Sequence, residues 1–373
     1  MFDDIIPYPT APEEQRAAIA LQRLKGLSAS AALQALARHG SAAAVLDATD
    51  DDDERLRNAL GGKDEALRRA DTEMAFCEKN HIRVLPLTDS AYPARLRETP
   101  DAPLVLFYRG TADLNARRML AVIGTRHITE YGRDLCRHLT EDLAAALPQC
   151  VVVSGLAYGV DIHAHRGALD HAMPTVGVLA HGLDRIYPAA HRDTAARMAS
   201  EGGLLTEYVT GTVPERGYFL ARNRIVAGMT DATIVVESAR VGGALSTARL
   251  AQDYDRDVFA FPGRVGDPYS EGCNNLIRAS RATLVTSAAD VLAALKWTAE
   301  QDKPATVQRE LFPDLSPDET RVVDALKTEE RLSISRIQTL SRLPFNRVNQ
   351  LLFTLELKGV VRALPGGIYR LLR

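Results

Sequence analysis

The sequence predicts an α/β fold: an extended, Rossmann-like and mainly parallel sheet, with a helical module before it and a winged helix after it. Three observations predict this. Short apolar runs rich in β-branched residues alternate with helical patterns over 81–297. Ala and Leu recur at helical spacing over 13–80. Residues 316–373 have the pattern of three helices followed by a β-hairpin, which is typical of a winged helix.

The strands of the predicted sheet end abruptly at Gly or at polar residues, and helical patterns follow most of them. In such sheets ligands bind beyond the carboxyl ends of the strands, and backbone amides at the following helix N-termini bind anions. The sequence therefore predicts a protein that handles phosphates. Strands are predicted at 119–123, 151–154, 174–179, 203–207, 232–237, 257–261 and near 283–286, with 82–87 and 103–110 extending one edge of the sheet.

The flanking segments differ in character. Residues 1–80 are predicted to be a helical module, and the two short helices around Gly26 are similar to SAM-like or helix–hairpin–helix modules, with a plain packing module as the alternative. A polar, Pro-containing stretch predicts a linker at 298–315. In the winged helix at 316–373, ten Arg and Lys residues stand against six Asp and Glu residues, which is compatible with a nucleic-acid or a protein partner.

Composition is that of an ordinary soluble protein: 46% hydrophobic and 25% charged residues, with a net charge of −3. No apolar run approaches the roughly 18–20 residues that span a bilayer, and the acidic, Pro-broken start is not a signal peptide. We therefore expect a cytoplasmic protein without membrane contact. The four cysteines show no CxxC spacing and are expected to be reduced. His163 and His165 diverge on a helix, so we expect neither a metal site nor a cofactor.

The first strand end carries three candidate phosphate ligands, Gly124, Thr125 and Arg126. Glycine permits close approach of a ligand, the threonine hydroxyl donates, and arginine can grip a phosphate with two hydrogen bonds. The GxGxxG fingerprint of dinucleotide-binding proteins is absent here. A structural pairing of Arg126 with a carboxylate is the alternative.

Two further turns have the same chemistry. Ser154 and Gly155 follow the second strand and fit a phosphate loop, and Asp161 is predicted to cap the next helix. At the other turn, glycines free the backbone amides for an anion and hydroxyls add donors. That turn consists of Gly242, Gly243, Ser246 and Thr247.

Two arginines lie in the segment 218–229. Arg222 and Arg224 are predicted to converge if a helix begins near Asn223, with that asparagine as its N-cap and Arg222 in the preceding loop. Phe219 lies beside them, and an aromatic ring among cations is typical of grooves that bind single-stranded nucleic acid. Core packing is the alternative for Phe219.

The residues do not indicate catalysis. The sequence has no Ser/His/Asp order, no paired carboxylates and no phosphate-binding GxxxxGK[ST] loop. Glu237 ends a predicted strand at the level of the candidate site, but a single acid without a partner does not support an enzyme. We therefore predict that this protein is not an enzyme.

Taken together, six segments resemble the DprA/Smf family of DNA-processing proteins, in the correct order through the whole central domain. The resemblance implies a non-catalytic domain that binds single-stranded DNA, forms a homodimer, protects incoming DNA during natural transformation and delivers it to the RecA recombinase. It places Arg126, Ser154, Gly155, Arg222, Asn223, Arg224, Gly243, Ser246 and Thr247 near the DNA. The segments are IGTR (123–126), SGLAYGVDIHAH (154–165), GLDRIYP (182–188), RNRIVAG (222–228), GGALSTA (242–248) and FPG…EGCNNLI (261–277).

The sequence departs from the family pattern at three places. Tyr158 stands where the family often has a basic residue, which removes a charge and adds a stacking surface. Ala244 replaces a common serine. Residues 279–282 replace a more usual acidic-Gly-Ala stretch. The first two departures concern the pocket, and the third concerns the expected dimer edge.

Two other functions stay open. GGALSTA also resembles the PGGxGTxxE loop of LOG-type nucleotide phosphoribohydrolases, but 248–251 lacks the glutamate that would stabilise an oxocarbenium-like transition state. The other is a regulator with a nucleotide-sensing central domain. Its winged helix would present Asn346, Arg347 and Asn349 to a DNA groove, although several leucines make much of that helix a packing surface.

Overall fold

The computed structural model describes residues 10–297, 315–327, 332–358, 360–364 and 367–371. The chain divides into two compact units, residues 1–299 and 300–373. Nearly all of the predicted linker, 298–315, lies outside the described residues. The finer division of the first unit at residue 80 stays a prediction.

Within the described part of the first unit, nine strands form one sheet in the order β1-β2-β6-β5-β4-β3-β7-β8-β9. The seven strands that run from β6 to β9 in this order are parallel to one another. At the β6 edge, β2 pairs antiparallel with β6, and β1 pairs antiparallel with β2. The mainly parallel sheet and its extended edge are therefore confirmed. The strands are Arg83–Pro86 (β1), Val105–Gly110 (β2), Met119–Ile123 (β3), Val151–Ser154 (β4), Thr175–Val178 (β5), Gly203–Thr206 (β6), Ala232–Val235 (β7), Asp257–Ala260 (β8) and Thr283–Leu284 (β9).

The central strands form because their apolar runs are buried on both faces of the sheet. From β3 the chain proceeds outward through β4, β5 and β6, and then crosses to β7 on the other side of β3. Strand order thus reverses between β3 and β7. In an open α/β sheet this reversal leaves a crevice at the carboxyl ends of the strands, where ligands bind.

The helices of this unit precede the sheet, connect its strands or, for the last one, follow its final strand. Those before the sheet are Pro12–Gln22 (α1), Ala29–His39 (α2), Ala42–Asp47 (α3), Glu54–Leu60 (α4) and Lys63–Lys79 (α5). Those that follow are Ala94–Arg97 (α6), Glu130–Ala146 (α7), Val160–Asp170 (α8), Arg192–Glu201 (α9), Arg216–Gly228 (α10), Gly243–Asp253 (α11), Glu271–Arg278 (α12) and Ala288–Ala294 (α13).

The predicted helical segment before the sheet is confirmed, and local sequence explains its ends. Ser28 and Ser41 accept hydrogen bonds from amides in the first turns of α2 and α3. Gly26 and Gly40 lie between helices. Both have a positive φ, which glycine adopts without steric cost. Similarity to a SAM-like module stays a prediction.

The described part of the second unit has the elements of a winged helix, as predicted. Its helices are Pro317–Lys327 (α14), Ile334–Ser341 (α15) and Phe345–Leu357 (α16), and its strands are Leu332–Ser333 (β10), Val361–Leu364 (β11) and Ile368–Leu371 (β12). The short strand β10, which the sequence pattern did not indicate, pairs with β12. Leu351, Leu352 and Leu355 of α16 are buried, so this face of the helix packs in the core of the unit.

All four cysteines are buried and free, as their spacing predicts. Among the described residues, no helix is both long and apolar enough to cross a membrane.

Candidate functional site

A cavity of about 760 Å³ lies at the carboxyl ends of the central strands. The loops after β3, β4 and β7 and the helices α10 and α11 surround it, at the point where strand order reverses. Most of the residues singled out by sequence meet here. They are Gly124, Thr125, Arg126, Gly155, Phe219, Arg222, Asn223, Gly242, Gly243 and Thr247.

Two glycines are required because other groups approach them closely. A Cβ atom on Gly124 would lie 2.4 Å from Val160 Cγ2, and one on Gly155 would lie 2.0 Å from Arg222 Nη1. Both separations are far below a van der Waals contact. The backbone of these two loops is therefore drawn against α8 and the Arg222 guanidinium.

The N-terminal end of α11 opens into the cavity. Gly242 is the N-cap and Gly243 begins the helix. The first amides of a helix have no intrahelical acceptor, and they carry the positive end of the helix dipole. Gly242, Gly243 and Ala244 all line the cavity, so these amides face an anion-binding space.

Arg126 is exposed at the cavity wall, and its guanidinium carbon lies 5.3 Å from the centre of the Phe219 ring. Among the described ion pairs, none involves Arg126 or its neighbour in the cavity, Arg216. Within the described ranges, Arg126 therefore has no carboxylate partner of the kind that the structural alternative requires. Its charge is available to a ligand, and the aromatic ring beneath it holds the side chain over the cavity.

Arg222 is buried and donates a 2.6 Å hydrogen bond from Nη1 to the Val178 carbonyl. Burial lowers the pKa of Arg222, and the negative charge of Asp161 opposes that shift. Burial likewise raises the pKa of Asp161, while Arg222 opposes the rise. The two charges therefore offset one another, and Arg222 contributes less net positive charge to the cavity than Arg126 does.

Asp161 does not cap α8 as the sequence predicted, because Gly159 is the N-cap. Asp161 lies in the first turn instead. Its carboxylate accepts hydrogen bonds from the amides of Gly155 (3.1 Å) and Ala157 (3.3 Å) and fixes the loop after β4. The Asp161 carboxylate is therefore engaged in hydrogen bonds with backbone amides of the site.

The predicted convergence of Arg222 and Arg224 is wrong, because α10 begins at Arg216 and both arginines are well inside it. Asn223 is likewise inside the helix, not at its N-cap. Arg222, Ile225 and Val226 follow helical spacing and are buried, so packing extends the helix upstream of Asn223. Arg222 faces the cavity, as its lining residues show.

Arg224 points elsewhere. It donates a 2.6 Å hydrogen bond from Nη2 to Glu207 Oε2, and its Nε lies 3.8 Å from Asp101 Oδ2. Arg224 does not line the cavity. Its pKa is lowered by burial but raised more by the two carboxylates, so the net shift is upward.

Two predicted hydroxyl ligands also lie outside the lining. Ser154 is fully buried and donates from Oγ to the Val122 carbonyl at 2.6 Å, between neighbouring strands. Ser246 is half-buried on α11 and does not line the cavity, whereas Thr247 does. These two serines therefore lie outside the cavity that the predicted glycines line.

Glu237, the acid considered for catalysis, has a structural partner. Its Oε2 accepts a 2.9 Å hydrogen bond from the Thr129 amide, and its Oε1 accepts one from the Thr129 hydroxyl. Thr129 is the N-cap of α7, so Glu237 fixes the start of that helix. The acid is 3% exposed and does not line the cavity.

The two histidines of the second motif are separate, as their spacing predicts. His165 is buried with Nδ1 2.7 Å from Thr175 Oγ1, while His163 Nδ1 lies 2.8 Å from the Gly159 carbonyl. Within the described ranges, no group of three or more His, Cys, Asp or Glu residues is placed to hold a metal ion.

A second cavity of about 800 Å³ adjoins the first, and Arg126, His127 and Tyr269 line both. Tyr158, one of the residues singled out by sequence, lines this second cavity. Sequence reasoning missed His127, Arg216 and Tyr269, along with Tyr187, whose ring centre lies 5.9 Å from that of Phe219. The motif containing Tyr187 was noted, but nothing local indicated that it reaches α10.

The fold and the site together define a class: a Rossmann-like protein whose anion-binding loops meet an arginine- and aromatic-lined cavity, with a winged helix in the same chain. This chain belongs to the DprA/Smf family of DNA-processing proteins. The family described as DNA recombination-mediator protein A matches residues 83–296, and the DprA winged helix domain matches residues 305–367. The resemblance noted in the sequence is therefore confirmed.

Relatives and solved structures agree with this assignment. The chain is 38% identical over 333 residues to the putative DNA processing protein DprA of Mycobacterium tuberculosis, covering 85% of this chain and 84% of that one. The DprA structure from Streptococcus pneumoniae matches with a TM-score of 0.64 and 32% identity, covering 74% of this chain and 97% of that one.

A second solved structure, DNA processing protein A from Helicobacter pylori, matches with a TM-score of 0.52 and 31% identity. It covers 58% of this chain and 95% of that one. That structure is described as showing the single-stranded DNA binding mode of the Helicobacter pylori protein.

Proposed function

We propose that this chain binds single-stranded DNA in the cavity at the ends of β3, β4 and β7, protects it, and delivers it to the RecA recombinase in the cytoplasm. One observation carries the binding proposal. Arg126 is exposed, has no carboxylate partner in the part of the chain that the structure describes, and is held over the Phe219 ring. It stands at the wall of a cavity that also contains the N-terminal end of α11. A cation, open amides and an aromatic ring are the groups that bind a phosphate and the base attached to it.

The arrangement suits a single strand better than a duplex. In a duplex the bases are stacked inside, whereas a single strand offers each base to an aromatic side chain. Phe219 and Tyr187 supply rings within the cavity, and Arg126 and Arg216 supply charge for the backbone. Such contacts recognise phosphate and the π-face of any base, so binding is expected to tolerate sequence.

The same cavity supports a function without catalysis. Asp161 is its only lining carboxylate among the described residues, and that carboxylate is engaged with two loop amides. The helix α11 has no glutamate after Thr247 where a phosphoribohydrolase would need one. We infer that phosphate binding here serves to hold DNA.

RecA delivery and homodimer formation rest on the family relationship. One feature of the fold is compatible with a dimer: β9 is an open edge of the sheet, and Leu284 on it is 48% exposed. An unpaired strand edge with an exposed leucine favours association with another chain. Two copies would bring two DNA cavities into one assembly.

The test is fluorescence anisotropy with a labelled dT20 oligonucleotide and a matching duplex at two salt concentrations. We expect tight, salt-sensitive preference for the single strand. Arg126→Ala should weaken binding about tenfold on every sequence, and should reduce the slope of log affinity against log salt by about 0.7. Arg137→Ala is the matched control, because Arg137 is exposed on α7 and lines neither cavity.

A preference for duplex would contradict the proposal and favour the regulator with a DNA-reading winged helix. Hydrolysis of a nucleoside monophosphate would instead favour the phosphoribohydrolase. Unchanged affinity in folded Arg126→Ala would contradict the placement of DNA in this cavity. RecA delivery is tested separately, by whether the protein accelerates RecA filament formation on dT20 that is already coated with a single-strand-binding protein.

A further inference from the structure

The second cavity lies beside the first, at the loop between β4 and α8. It contains an exposed tyrosine, Tyr158, which is 49% exposed in the loop between β4 and α8. The cavity has a volume of about 800 Å³ and is continuous with the DNA cavity through Arg126, His127 and Tyr269. A strand held at Arg126 therefore has a path directly to Tyr158.

Tyr158 is held in place by a buried histidine. The two rings are 4.9 Å apart, centre to centre, and nearly perpendicular at 70°. Tyr158 remains 49% exposed beside this contact, so part of its ring surface is open to a ligand. The histidine, His191, has its Nδ1 2.9 Å from the Leu156 carbonyl, which fixes the imidazole. Burial lowers the pKa of His191, so it is a neutral support at neutral pH.

The surroundings of Tyr158 favour a polyanion. Arg126, Arg133 and Arg166 line this cavity, and no Asp or Glu is among its described lining residues. Arg133 pairs with the exposed Glu130 on the outside of α7, which reduces its contribution. Arg166 donates from Nε to Thr194 Oγ1 at 3.2 Å, a neutral partner that leaves its charge uncompensated.

We propose that Tyr158 forms a base-stacking subsite for a second nucleotide of the same single strand. The base lies on the open face of the tyrosine ring, and the phosphate that joins this nucleotide to the one at Arg126 lies between Arg126 and Arg166. This inference rests on the proposed binding of single-stranded DNA, and it names the part of the strand that each cavity takes.

A nucleotide base fits the second cavity better than a phosphate alone does. A phosphate needs donors only, whereas this cavity also presents a half-exposed aromatic ring that a second ring supports. Stacking of a base on an aromatic side chain tolerates all bases and contributes about 1–3 kcal/mol, which is roughly a 5- to 150-fold change in affinity. The Arg126 and Arg166 side chains then account for the flanking phosphate.

The experiment compares Tyr158→Ala and Tyr158→Phe with the wild-type chain on two oligonucleotides of equal length, dT20 and a 20-residue abasic strand. We expect Tyr158→Ala to weaken dT20 binding about 5- to 150-fold and abasic binding less than about twofold. Tyr158→Phe should bind both as the wild type does, because the ring is kept. The salt slope should be unchanged in both variants, since no phosphate contact is removed.

Tyr131→Ala is the matched control, because Tyr131 is 48% exposed and lines neither cavity. If Tyr158→Ala loses equal affinity for dT20 and the abasic strand, or if folded Tyr158→Ala loses none for dT20, the stacking subsite is overturned. In either case, binding of dT20 by the wild-type chain still upholds the proposed function. A wild-type chain that binds neither strand overturns the proposed function itself. Loss of affinity for free thymidine monophosphate alone would indicate a mononucleotide site and also overturn the subsite.

Discussion

Arg222 and Arg224 are expected to behave differently, although they are two residues apart and the sequence analysis placed both near the DNA. Arg224 donates to Glu207 at 2.6 Å, and both side chains are largely buried, 18% and 10% exposed. Arg224 lies outside both cavities. We therefore expect Arg224→Ala to reduce stability and to leave single-strand affinity within about twofold.

The magnitude follows from the burial of the pair. Removing one partner of a buried ion pair leaves the other charge without compensation and costs about 3–5 kcal/mol. Part of the Arg224 side chain is exposed to solvent, so we expect about 2–4 kcal/mol. For a unit of this size, that corresponds to a fall in the unfolding temperature of roughly 3–6 °C.

The assay is chemical and thermal unfolding of Arg224→Ala beside dT20 anisotropy. The double variant Arg224→Met with Glu207→Gln supplies the comparison, because removing both charges should recover most of the stability lost by removing one. Wild-type unfolding together with tenfold weaker DNA binding would refute this reasoning, since it would mean that Arg224 faces the ligand.

Two further predictions concern buried groups at the site. Gly155→Ala should displace the Arg222 guanidinium, because its Cβ would lie 2.0 Å from Nη1. We expect this variant to lower dT20 affinity at least about tenfold in anisotropy. Gly217→Ala is the control and should keep wild-type affinity, because its Cβ would meet nothing within 4 Å. Burial lowers the pKa of His165 to about 3 from 6.5, so unfolding takes up a proton between these values and stability falls as pH falls. His165→Gln should remove about 1.4 kcal/mol per pH unit from the slope of unfolding free energy between about pH 6 and pH 4, and an unchanged slope in urea titrations would contradict a neutral buried imidazole.

The sequence alone predicted the sheet and the loops of the site well, because these depend on local information. Apolar runs such as 119–123 and 151–154 match β3 and β4, since continuous burial on both faces of a parallel strand is visible in the residues themselves. The glycines and Arg126 were likewise predicted, because a strand end and the following helix N-terminus are neighbours in the chain.

Side-chain orientation could not be predicted in the same way. The start of α10 was predicted too far downstream, since Asn223 is a good N-cap in isolation and only packing against the sheet shows that the helix already runs through it. With that start, Arg222 and Arg224 were expected to converge. Their actual partners, Val178 and Glu207, come from other parts of the chain.

What the sequence by itself determined was the fold class and the family, because strand and helix patterns and short motifs are local properties. Phosphate binding at the strand ends stays a prediction. Only the tertiary structure decided which side chains the candidate cavity presents to a ligand. Ser154 and Glu237 have suitable chemistry, but Val122 and Thr129, distant in sequence, already occupy their hydrogen-bonding groups. Arg126 is available because no described carboxylate folds within reach of it, and availability of that kind is decided by the packing of the whole domain.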